Sequence, residues 1–162
     1  MTIRAVIDTN IWVSAILNPF GFPSRLRDAF ANGVFQPVIS ETMLVELAEV
    51  LSRPRIKDKY GLATADIQEL LVLIEERSET VVLSNDVKIC RDINDNMVIE
   101  TAIKGRAEYL VTRDDDIKQD RIVSSFLQQY RVSILSVADF LSLLEKQVER
   151  PHADHPASSP RE

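Results

Sequence analysis

The chain has 162 residues, 45% of them hydrophobic and 27% charged, a composition that fits one globular domain with a sizeable core and makes two domains unexpected. Its net charge of −6, from 25 acidic and 19 basic residues, argues against a passive nucleic-acid coat, which needs a basic surface, but not against an enzyme whose bound cation offsets acidic charge. Both histidines, His152 and His155, lie in the tail "ERPHADHPASSPRE", so a Ser-His-Asp or Cys-His mechanism and a His-ligated zinc site are set aside.

The lone cysteine, Cys90, cannot form an internal disulfide and reads as a small buried hydrophobe in a reducing compartment. Apolar runs fall short of the roughly 18 residues that span a bilayer, and strand-like sequence begins at once, leaving no room for a signal peptide. The expectation is a cytoplasmic protein with no membrane partner.

The first element is the β-rich run "IRAVI" (3–7), which ends at Asp8 and leads into a helix expected over 10–17. A lone carboxylate inside "AVIDTNIWVSAIL" costs several kcal/mol if buried, unless it is paired, hydrogen-bonded or bound to a metal. The bland alternative is an N-cap, and the residues alone leave the two even. A helix over 24–32 and the strand "FQPVI" (35–39) follow.

On a helix over 41–52, the apolar arc comprises Met43, Leu44, Leu47, Val50 and Leu51. Glu46 sits just outside one edge of it. Glu41 lies somewhat beyond the other edge, in the first turn, where the helix dipole already accounts for an acid, and Glu49 faces away. Glu46 is therefore the acid nearest the buried side, by a small margin, with a solvated acidic face as the alternative. After it, Arg53, Arg55, Lys57 and Lys59 alternate, either as a strip that tracks a nucleic-acid backbone or as a solvated connection.

A helix over 64–78 and the strand "TVVL" (80–83) come next. The helix expected over 95–104 carries the stripe Val98, Ile99, Ala102 and Ile103, and Asp95 projects near the middle of it. That acid should point inward; the helix N-terminus tolerates negative charge, so capping explains part of the placement, but a cap needs no alignment with the core stripe, which favours a site role. Asp114 stands two residues beyond the strand "EYLVT" (108–112). The strand "RVSIL" (131–135) precedes a helix over 137–147, opened by the capping-box-like Ser136-Val-Ala-Asp139. Residues 148–162, rich in Pro, Ser and charge, are expected to be a disordered tail.

Strands alternating with helical patterns indicate an α/β fold with a mainly parallel sheet, whose working crevice lies beyond the carboxyl ends of the strands. Asp8, Glu46, Asp95 and Asp114 could all be aimed at one cavity there. Four such carboxylates repel one another, and hard divalent cations with oxygen ligands, Mg²⁺ or Mn²⁺, resolve the conflict. Such a site can activate water and neutralise phosphodiester charge without a histidine base. A phosphoryl-accepting enzyme with Asp8 as nucleophile fits less well. A haloacid-dehalogenase-type site needs a second Asp where Asn10 stands, a receiver domain needs paired acids ahead of its Asp, and only 4 glycines are present for a phosphate-cradling loop.

Over about residues 3–146 these segments resemble the PIN-domain family. "VIDTNIWVSA" is similar to its opening motif, "ISETMLVELAEVL" to its acidic helix, "DINDNMVIETA" to its third acidic motif and "YLVTRDDDI" to its fourth; "ILSVADFLSLL" resembles the closing strand and helix. The likeness is nearest to toxins of bacterial toxin-antitoxin pairs, akin to VapC. It implies a three-layer α/β/α sandwich over 1–147 with a five-stranded sheet of order 3-2-1-4-5, and Mg²⁺- or Mn²⁺-dependent endoribonuclease activity. It also implies RNA as substrate and an antitoxin protein as partner, and it allows a homodimer.

Carried over by position, the resemblance implies that Asp8, Glu46, Asp95 and Asp114 are catalytic, metal-binding acids, with Asp116 beside them and Asn10 and Thr112 in support. The third motif more often carries proline and a further acid where Ile93 and Asn94 stand, which leaves Asp92 as a rival or supporting acid; the stripe favours Asp95. The fourth often has glycine where Arg113 places a cation, able to hold a phosphate or to pair with Asp115 or Asp116. A non-catalytic RNA-binding or interaction module with the same fold is the alternative to an enzyme.

Overall fold

The computed structural model describes residues 2–18 and 20–149, with the backbone alone at 115, 116, 148 and 149. Five strands, β1 (Ile3–Ile7), β2 (Phe35–Ser40), β3 (Glu79–Val81), β4 (Tyr109–Val111) and β5 (Ser133–Leu135), form one sheet in the order β3-β2-β1-β4-β5, every pairing parallel. They are connected by α1 (Thr9–Leu17), α2 (Gly21–Ala31), α3 (Glu41–Leu51), α4 (Pro54–Lys59), α5 (Thr64–Arg77), α6 (Ile93–Lys104), α7 (Asp115–Lys118) and α8 (Arg121–Gln128), and α9 (Val137–Glu149) closes the described chain. Class and strand order are those expected.

The central strand β1 buries Ala5, Val6 and Ile7 fully, so both of its faces are covered there, as a parallel strand with helices on either side requires. The register aligns Ile3 with Phe35 and Ala5 with Tyr109, so these four side chains share one face. There Phe140 of α9 meets Phe35 edge-on with ring centres 5.1 Å apart, and Trp12 of α1 meets Phe30 of α2 in the same way at 5.2 Å. Val6, Val38 and Leu110 point to the opposite face. At the end of α6, Gly105 lies so close to that face that a Cβ would fall 2.1 Å from Val38 Cγ1. Helices thus cover both sides of the sheet.

Several boundaries differ from expectation. β3, β4 and β5 have three residues each, shorter than the runs at 80–83, 108–112 and 131–135. α6 starts at Ile93 rather than at 95, because the Asp92 carboxylate accepts from the Asn94 amide at 2.9 Å and caps the helix there. The basic strip after α3 is no extended connection: Pro54 opens the short helix α4. α7 and α8 were not anticipated. α8 is capped by Asp120, whose carboxylate accepts from the amides of Ile122 and Val123 at 2.8 and 3.2 Å, and it buries Val123 and Leu127. α9 continues to Glu149, past the domain end expected at 147; residues 150–162, with His152 and His155, lie outside the described residues. Cys90 is half-buried rather than buried.

Candidate active site

β1 and β4 are neighbours at the centre of the sheet, so their carboxyl ends open on one edge. The ladder continues one residue beyond each strand: the Asp8 amide donates to the Val111 carbonyl at 3.0 Å, and the Thr112 amide to the Leu135 carbonyl at 3.1 Å. The fully buried Thr112 hydroxyl donates to Asp8 Oδ2 at 2.8 Å and accepts from the Asp114 amide at 3.0 Å. A single hydroxyl therefore fixes the Asp8 carboxylate and the backbone of Asp114 relative to each other. Asp8 stands at the N-cap of α1, yet its side chain makes no capping bond, so capping does not explain it. Burial pushes its carboxyl up against the lowering pull of the Thr112 hydroxyl and the Thr9 amide, and the charges of Glu46 and Asp114 push it further.

Glu46 reaches this edge from α3. That helix springs from buried Ser40, whose hydroxyl accepts from the Met43 amide at 3.2 Å, and it turns Met43, Leu47 and Leu51 into the core. Glu46 is then half-buried, whereas Glu41 and Glu49 are exposed. Asp95, in the first turn of α6, is half-buried; Asp92, its rival, is exposed and occupied in capping. Burial, the charges of Asp114 and Asp92, and a hydrogen bond with Asp114 together push the Asp95 carboxyl up to about 7. The Cys90 thiol, pushed up to about 11 by burial and then by the surrounding acids, is no nucleophile.

Two cavities flank these carboxylates. One, of about 560 Å³, is lined by Ile89, Cys90, Arg91, Asp92, Asp95 and Asp120; the other, of about 450 Å³, by Asp8, Asn10, Val13, Ser14, Arg113 and Asp114. Asn10 is exposed, and its carbonyl accepts from Arg113 Nη2 at 3.3 Å, which also donates to the Ser14 hydroxyl at 2.6 Å. Arg113 therefore leans on α1. The side chains of Asp115 and Asp116 lie outside the described residues.

The donors at this edge are carboxylate oxygens, and burial with their mutual repulsion pushes the carboxyls of Asp8 and Asp95 up, so the edge is short of positive charge. A hard divalent cation fits that deficit, since Mg²⁺ commonly uses one or two carboxylates and completes its shell with water and phosphate oxygens. Among the described residues no three His, Cys, Asp or Glu side chains are close enough to hold one ion jointly. The arrangement is an open carboxylate edge rather than a closed cage.

The PIN domain model matches residues 4–116, which takes in β1 through the start of α7. The chain belongs to the PIN domain family. An uncharacterized protein of Methanocaldococcus jannaschii is 25% identical over 146 residues, 89% of this chain and 93% of that protein. Among solved structures, that of VapBC2 from Rickettsia felis bound to a DNA fragment from their promoter shares the fold, with TM-score 0.53 and 18% identity over 83% of this chain and 98% of the other.

Two residues that shape this PIN domain's edge escaped the sequence reading. Asn96 Oδ1 accepts from the amides of Ile89 and Cys90 at 3.0 and 2.7 Å while its Nδ2 donates to the Cys90 carbonyl at 3.0 Å. Glu100, 2% exposed, accepts from the amide and hydroxyl of Ser84 at 2.6 and 3.1 Å and pairs with Lys104 at 3.4 Å. Burial works to raise its carboxyl, but the bonds from Ser84 and Lys104 prevail and hold it below the usual range. Together they clamp the segment 84–90 to α6, and that segment forms a wall of the larger cavity. Their spacing of four residues, beside the apolar stripe, was the available signal. No described helix is long and apolar enough to cross a membrane.

Proposed function

We propose that this PIN domain is an Mg²⁺- or Mn²⁺-dependent endoribonuclease, acting on single-stranded RNA in the cytoplasm as the toxin of a toxin-antitoxin pair. The observation that carries the reading is the carboxylate edge itself, where burial and then the charges of Asp114 and Asp92 push Asp95 up to about 7 beside Asp8. Asp8, Glu46, Asp95 and Asp114 would hold the cation, one or two of them directly and the others through its water shell, with Asp116 as a further ligand. When bound, that cation would activate water and neutralise charge on the phosphodiester. Thr112 orients the Asp8 carboxylate, and the capped start of α6 presents Asp95 to the same edge. The toxin role is supported by the fold shared with a VapBC complex, which makes an antitoxin protein the expected partner.

Purified protein should cleave single-stranded RNA with Mg²⁺ or Mn²⁺ and not in EDTA, leaving 5′-phosphate and 3′-hydroxyl ends by mass spectrometry. Cyclic phosphate ends would overturn the mechanism, because they report attack by the ribose 2′-hydroxyl. Asp8→Asn should abolish cleavage and the thermal shift produced by the cation, while leaving the fold intact. The absence of a three-ligand cage among the described residues favours one second reading, a non-catalytic RNA-binding module; RNA bound but left intact with every divalent ion tested would establish it.

A further inference from the structure

Arg113 is held in an uncommon way for a cation beside so many acids. Its Nη2 donates to two acceptors on α1, the Asn10 carbonyl and the Ser14 hydroxyl, at 3.3 and 2.6 Å. Both acceptors are uncharged, so the guanidinium keeps its full positive charge while its long side chain loses its freedom. An arginine with a purely structural task at this edge would be neutralised by carboxylates; among the described residues Arg113 forms no ion pair. It is exposed and lines the same cavity of about 450 Å³ as Asp8 and Asp114. Guanidinium carries five N–H donors. With Nη2 turned to α1, the donors on Nη1 and Nε, on opposite sides of the group, remain for single charge-assisted contacts with a phosphate oxygen. A chain of net charge −6 that binds a polyanion across an acidic edge needs such a fixed positive point.

We propose that Arg113, preset by Ser14 and the Asn10 carbonyl, binds the phosphate adjoining the scissile one in single-stranded RNA; this rests on the nuclease reading above. The contact is to the backbone and independent of base sequence.

The test combines two measurements on wild type and the variants Arg113→Gln, Arg113→Lys, Ser14→Ala and Arg131→Gln. Anisotropy of a fluorescein-labelled single-stranded RNA decamer with Ca²⁺, over a series of KCl concentrations, gives Kd and its salt dependence. Initial rates on the same RNA with Mg²⁺ give KM and kcat. Arg113→Gln should weaken binding about tenfold for any sequence, raise KM more than it lowers kcat, and flatten the slope of log Kd against log salt by about 0.7, the value of one single-strand phosphate contact. Arg113→Lys should keep the slope and lose part of the affinity, because an ammonium group on a shorter stem is not held by Ser14 and the Asn10 carbonyl in the same place. Ser14→Ala should fall between wild type and Arg113→Gln. Arg131→Gln, an exposed arginine just ahead of β5 at the opposite edge of the parallel sheet, controls for net charge and should change little. A slope unchanged in Arg113→Gln, or an equal effect from Arg131→Gln, overturns the proposal. If wild type cleaves RNA and Arg113→Gln is indistinguishable from it, this inference alone falls; if wild type neither binds nor cleaves RNA, the nuclease reading falls and takes this one with it.

Discussion

Removing the charge of Asp95 should stabilise the metal-free protein at alkaline pH, even though the change deletes a residue proposed to be essential. Its carboxyl sits at about 7 in the folded chain against an ordinary 3.8. A carboxyl raised on folding contributes stability that is complete below the unfolded value and is lost as pH rises through the folded one. Taken at full weight, the difference corresponds to about 4 kcal/mol at pH 8, using about 1.36 kcal/mol per pH unit. Asp95 is only half-buried, and screening by solvent reduces this to about 1–2 kcal/mol. The start of α6 works the other way, favouring a negative charge by about 0.3–1 kcal/mol. Asp95→Asn should therefore gain about 0.5–1 kcal/mol at pH 8 in EDTA, a rise in Tm of about 1–4 °C for a chain of this size. At pH 5 the gain should shrink, because wild-type Asp95 is then protonated in the folded state. Saturating Mg²⁺ should reverse the order at pH 8, wild type gaining more than the variant. Thermal melts of both proteins at pH 5 and pH 8, with EDTA and with Mg²⁺, decide the matter. An Asp95→Asn variant that melts below wild type at pH 8 in EDTA would refute the electrostatic account of this edge.

Thr112→Val keeps the shape of the side chain but removes the hydroxyl that serves both Asp8 and Asp114; it should cost about 1–3 kcal/mol in urea melts and reduce cleavage at least tenfold, with Thr112→Ser restoring most of both. Gly105→Ala should destabilise by about 1–3 kcal/mol, since the new methyl meets Val38, and combining it with Val38→Ala should cost less than the two single changes added together. Arg106, with φ of 53°, terminates α6 in the left-handed region, so Arg106→Gly should raise stability by about 1 kcal/mol, and an unchanged melt would show that the surroundings already relieve the strain.

The alternation of strands and helices and the placement of two of the four acids were legible because they depend on local chemistry, whereas the strand order followed only from the family resemblance. Within "IRAVI", Ala5, Val6 and Ile7 are apolar at successive positions, the pattern of a strand buried on both faces, and Asp8 and Asp114 each come just after a strand. The preference for Glu46 over Glu41 was nearly invisible, since their angles from the apolar arc are similar; only in the folded chain does Glu46 become half-buried while Glu41 stays exposed. α8 carried its signal openly, an Asp120 cap followed by Ile122, Val123, Phe126 and Leu127 at helical spacing, but its eight residues are too short to stand out between two strands. Asn96 and Glu100 look like ordinary polar positions until the segment 84–90 folds back on α6. Arg113 likewise gives no hint that its partner Ser14, 99 residues away, is a hydroxyl rather than a carboxylate.

The bond between Thr112 and Asp8 closes a gap of 104 residues, and this has a bearing on how such a chain is made. Synthesis releases the N-terminal segment first, so β1 can find β2 while β4 has yet to be translated. At about 5–20 residues per second, Asp8 waits about 5–20 s before Asp114 exists to join it. For a nuclease of the proposed kind this interval matters, because the growing polypeptide is surrounded by its own message and by the ribosome. A nascent fragment that stops short of β4 has Asp8 and Glu46 but lacks Asp114, and with it the neighbour that perturbs Asp95. The parallel topology, which places the first strand beside the fourth, thus leaves the carboxylate edge incomplete until residue 114 has been added.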